Sequence, residues 1–88
     1  MNLMLFNFLK YCEQKDIKLL SGDIAYIKSI LLILPSYLHR SVLRGYIDIW
    51  VESIGQCNNE AKKMNFGRRN ANLWLGDEAE RLLRKLDE

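Results

Sequence analysis

The sequence predicts an all-α fold, a small four-helix, helix-turn-helix-like domain that pairs as a homodimer. Three observations predict it. Apolar residues recur at helical spacing in four segments. A single proline and five glycines in 88 residues leave too few breaks for a strand-and-turn protein and too much order for a disordered one. The apolar fraction, 49%, can supply a core, and a chain of this length forms one domain, 1–88, burying roughly two-thirds of its unfolded surface.

The first helix is expected over Leu3 to Gln14, where Leu5, Phe8, Leu9 and Cys12 gather on one side and Asn7, Lys10 and Glu13 on the other. "KDIKLLSGD" reads as a connection, with Ser21 as N-cap of the next helix. That second helix, Asp23 to Leu34, is apolar nearly all round, with only Lys28 and Ser29 as a polar strip. Pro35 stops it, because proline disfavours helical geometry in the residue before it.

The third helix begins near Tyr37 and runs at least to Ser53, with a break near Gly55 to Asn59. Its apolar arc, from Leu38, Val42, Leu43 and Tyr46 to Ile49 and Trp50, exceeds half the circumference. Arg44 and Asp48 are spaced for an i,i+4 pair. The fourth helix is expected after Gly67, running to Leu86 with Ala71, Leu75, Ala79, Leu82 and Leu86 in one stripe. Asp77–Arg81 and Glu80–Arg84 are its predicted ion pairs, and Gly76 a place where another backbone could come close.

Formal net charge is only +2, but it is unevenly spread. Arg40, Arg44, Lys62, Lys63, Arg68 and Arg69 outnumber the acids between Tyr37 and Gly76, and the tail from Asp77 is acidic. Cys12 and Cys57 read as two buried, reduced thiols of a cytoplasmic protein. The apolar start has no basic region or small-residue cleavage site of a signal peptide, and no run reaches the ~18 apolar residues that cross a bilayer.

No catalytic constellation is legible. His39 has no acid or cysteine partner nearby, and the serines lack any nucleophile context. The sequence therefore points away from an enzyme, and no metal, cofactor or small-molecule substrate is expected. Binding chemistry concentrates in "NFGRRNANLWL". On the first turn of a helix, Arg68, Arg69, Asn70 and Asn72 would stand beside unpaired N–H groups at the positive dipole end. Arginine reads guanine and asparagine reads adenine in the major groove of double-stranded DNA. Lys62 and Lys63 would add phosphate contacts, and Arg40 and Arg44, after the tight "LPS" turn, form a secondary candidate. The wide apolar arc of the third helix, with Ile47, Trp50 and Val51, and the outward Leu73 mark the expected dimer interface.

The stretch "LPSYLHRSVLRGYIDIW … FGRRNANLWL" resembles a segment of the replication initiators of bacteriophages and their satellites. Leu34, Pro35, Leu38, Arg40, Leu43, Tyr46 and Trp50 match a Leu-Pro turn and the helix after it. Arg69, Ala71, Asn72, Trp74 and Leu75 match the stretch that follows. The resemblance covers about half of the chain and implies a non-catalytic origin- or operator-binding module. This sequence lacks the histidine cluster that would serve a nicking tyrosine, and it lacks a Gly-rich phosphate loop, so neither strand nicking nor a helicase motor is implied. The alternative is a protein-interaction module, such as a phage-encoded inhibitor of a host complex.

Overall fold

The computed structural model describes residues 3–88. These form α1 (Leu3–Gln14), α2 (Ser21–Ile33), a 3-10 turn (Ser36–Leu38), α3 (His39–Gln56) and α4 (Lys63–Leu86), with no strand among the described residues. The all-α, four-helix class is the one predicted.

The centre is an antiparallel pair of the two longest helices. The Trp50 indole of α3 lies against Gly67 of α4, and the Trp74 indole of α4 lies against Gly45 of α3. Each glycine is a shelf for an indole: a Cβ on Gly67 would come within 3.0 Å of Trp50 Cδ1 and Nε1, and one on Gly45 would overlap the Trp74 ring. Ala71, Leu75 and Ala79 continue the buried stripe of α4, and the small Ala71 and Ala79 let the helices approach. α2 packs on α4, and α1 packs on α3. Phe8 of α1 meets Tyr46 of α3 edge-on, ring centroids 6.1 Å apart. Trp50, Tyr46, Ile27, Leu75, Val42 and Cys12 form the deepest part of the core.

The connections follow local chemistry. Asp16 closes α1 in the left-handed region (φ 59°). The Asp16 and Ile17 N–H groups then turn back to the Glu13 and Cys12 carbonyls at 3.2 and 2.8 Å. That is a Schellman closure, with Asp where glycine is usual. α2 ends at Ile33, and Leu34 is extended before Pro35. His39 Nε2 lies 2.9 Å from the Leu34 carbonyl oxygen, fastening the start of α3 to the end of α2.

Several expectations need correction. Ser21 is not the cap of α2: Leu20 holds that position, and its N–H donates to the Asp23 carboxylate at 2.8 Å. Gly67 does not interrupt the chain; α4 starts at Lys63 and passes through it, because burying Trp50 against it offsets its poor helix propensity. A side-chain hydroxyl, that of Tyr26, rather than a backbone, comes close to Gly76. Arg44–Asp48 is not among the ion pairs, and Arg81 pairs with Glu78 at 2.6 Å rather than with Asp77. Glu80–Arg84 does form, at 3.8 Å. Cys12 is buried as expected, whereas Cys57 at the end of α3 is only half-buried.

Candidate functional site

The uninterrupted course of α4 decides the fate of the predicted DNA readers. Arg68 to Asn72 lie in the interior of the helix, where backbone N–H groups bond within the helix. The free first turn belongs to Lys63–Phe66 instead. Arg68 and Asn72, one turn apart, share the face of Leu75 and Ala79 and point at α2.

There they meet Asp23, which is only 6% exposed. Arg68 Nε donates to Asp23 Oδ2 at 2.8 Å, and Asn72 Nδ2 donates to Asp23 Oδ1 at 3.0 Å. The Tyr46 hydroxyl donates to Asn72 Oδ1 at 2.7 Å. Arg68 also donates to the Lys18 carbonyl and Asn65 Oδ1, both at 2.7 Å, and its guanidinium carbon sits 5.5 Å from the Trp50 ring centroid. Asp23 thus accepts three hydrogen bonds, one from a cation, which is how a buried charge is tolerated. Burial pushes the Tyr46 hydroxyl well above the ordinary phenol range, and the Asp23 charge adds to the shift. Asn70 donates to Ser53 Oγ at 3.1 Å, which gives the buried Ser53 a partner.

Arg68, Asn70 and Asn72, expected as DNA readers, are thus engaged in hydrogen bonds within the chain. Arg69 and Lys62 are exposed, and the half-buried Lys63 pairs with Glu60 at 3.2 Å. Of the predicted dimer residues, Trp50 is completely buried in its own chain and cannot meet a partner. Ile47 is half-buried, and Val51 and Leu73 are exposed.

Sequence reasoning missed a groove of about 690 Å³ between α1 and α3. Leu3, Met4, Phe8 and Tyr11 of α1 and Leu43 and Ile47 of α3 give it an apolar surface, and Arg40, Arg44 and Asp48 edge it. Leu3 is 73% exposed. Arg40 and Arg44 are exposed, and neither lies within ion-pair distance of a carboxylate among the described residues. The sequence signal for this site was the apolar excess of α3, which pointed to a second partner for that helix without saying where.

Among the described residues no three metal-ligating side chains converge, and no helix is long and apolar enough to cross a membrane. No protein-family model, curated protein or solved structure matches the chain.

Proposed function

We propose that this chain is a non-catalytic protein-interaction module that binds its partner through the groove between α1 and α3. One observation carries this reading. Three of the four expected DNA readers, Arg68, Asn70 and Asn72, are engaged inside the fold, while an open apolar groove remains on its surface, edged by two arginines that have no ion-pair partner among the described residues. Apolar area of this kind marks binding surfaces. An inhibitor or adaptor acting on a larger complex fits such a module.

A second reading, a replication- or operator-binding DNA module, retains support from Arg40 and Arg44. They are exposed, without an ion-pair partner among the described residues, and one turn apart near the start of the helix that follows the Leu34–Pro35 turn, and the resemblance to phage and satellite initiators runs through the same segment. Arg69 and Lys62 are further exposed cations of the predicted site.

Site-specific photo-cross-linking in the native cells separates the two. A photoreactive residue at position 3 or 11 is expected to yield a defined protein adduct that one at position 62 or 69 does not. Nucleic-acid adducts from positions 40, 62 and 69, with binding to mixed duplex DNA that weakens by ~0.9 log units per log salt for each phosphate contacted, would replace the first reading with the second. Absence of any position-dependent adduct would remove the first.

A further inference from the structure

We infer that the α1–α3 groove receives a partner's amphipathic helix whose apolar stripe is flanked by acidic residues. The inference rests on the protein-interaction reading and names the chemistry of its partner. The walls are two helices, so no sheet edge with free N–H and C=O groups is offered to an added strand. Side chains on paired helices form ridges, and a third helix packs along the furrow between them. The α1 wall is 12 residues long, about 18 Å at helical rise. An occupant of three to four turns, with anchors at i, i+3 or i+4 and i+7, matches it.

The charge at the edge sets the flank. Arg40 and Arg44 stand one turn apart on α3, and Asp48, one turn further, is the single carboxylate lining the groove. A guanidinium pair with free donors complements carboxylates bidentately. Glu or Asp flanking the apolar stripe is therefore favoured on the arginine side, and Lys or Arg is opposed.

A second copy of this chain is a poor occupant. The exposed apolar end of α2, Leu32 and Ile33, is accompanied by Lys28, which has the same sign as the groove arginines. In the acidic part of α4, Leu82 and Leu83 pack on their own core, leaving Leu86 as the one exposed large apolar side chain there. Leu73, between Arg69 and Asp77, and Val51, between Asp48 and Glu52, each lack an exposed apolar neighbour one turn away on their own helices.

The test uses the whole chain and two synthetic helical peptides of about 14 residues, sharing one leucine stripe and flanked by Glu in one and Lys in the other. Fluorescence anisotropy is expected to show the Glu peptide bound at least about tenfold more tightly. Arg40→Glu with Arg44→Glu should reverse the order. Both residues are exposed, so circular dichroism should remain that of a folded helical protein, and Met4→Asp should weaken either peptide. Equal affinities, no binding of either peptide, or a preference unmoved by the charge reversal would overturn the inference. So would sedimentation at twice the chain mass that Met4→Asp returns to the monomer, since the groove would then hold a second copy. If peptides fail while position 3 or 11 still cross-links a protein in cells, the acidic helix is wrong and the interaction reading stands.

Discussion

Arg68 and Asp23, 45 residues apart in sequence, are joined by a 2.8 Å hydrogen bond in which both side chains are largely withdrawn from water. Removing one member leaves the other charge buried without its counter-charge. Arg68→Ala is expected to destabilise the fold by ~3–5 kcal/mol, whereas Arg69→Ala, one residue along and exposed, should stay within ~0.5 kcal/mol. Urea unfolding followed by circular dichroism measures both. Similar small effects from the two substitutions would show that the buried pair contributes little.

Gly45 and Gly55 lie on the same helix and should respond oppositely to alanine. A methyl group at Gly45 overlaps the Trp74 ring, while at Gly55 it meets nothing within 4 Å. Gly45→Ala should lower stability by ~1–3 kcal/mol through overpacking. Gly55→Ala should raise it by up to ~1 kcal/mol from helix propensity. Thermal melts of the two variants beside the parent chain decide the matter.

Asp16 occupies a left-handed backbone position that costs a residue with a Cβ. Asp16→Gly keeps the hydrogen bonds of the closure and relieves that cost, with a gain of ~0.5–1 kcal/mol expected. Asp16→Val should lose at least as much, because a β-branched residue fits this region worst. A melting temperature that falls in the glycine variant would contradict the reading of this turn.

Cys12 and Cys57 should differ in reactivity. Burial pushes the Cys12 thiol up to about 12 from an ordinary value of 9.0, and the thiolate is the nucleophile. A thiol reagent at pH 8 should modify Cys57 in the native protein and reach Cys12 only on unfolding. The same shift has a stability consequence. Between pH 9.0 and about 12 the folded chain holds a proton that the unfolded chain releases. The stability contributed by the neutral thiol is thus complete below pH 9.0 and is lost as pH rises through that window. Cys12→Ser should flatten this part of the curve.

The helices were legible because Phe8, Cys12, Val42, Tyr46, Leu75 and Ala79 obey helical periodicity and the structure buries all of them. The proline stop after α2 was legible for the same local reason. The start of α4 was not. Gly67 is a helix breaker by propensity and a packing device in context, and only the position of Trp50 distinguishes the two. That single misreading shifted Arg68 and Asn72 from a free helix terminus to a buried face. Asp23, the one carboxylate within an otherwise apolar helix, was the clue that they had an internal partner. The groove was illegible because it depends on how far α1 stands from α3, a distance no local pattern encodes.

The division of labour among the helices has a mechanical consequence. α2, α3 and α4 are cross-braced by Asp23, Asn72, Tyr46 and Arg68, whereas α1 packs its buried Leu5, Phe8 and Cys12 into the core, with Phe8 against Tyr46 of α3. With fewer polar ties to the rest of the fold among the described residues, α1 amides should exchange with solvent at lower cost than those of α3 or α4. Since α1 is also a wall of the groove, the least braced helix is the one an incoming helix would meet.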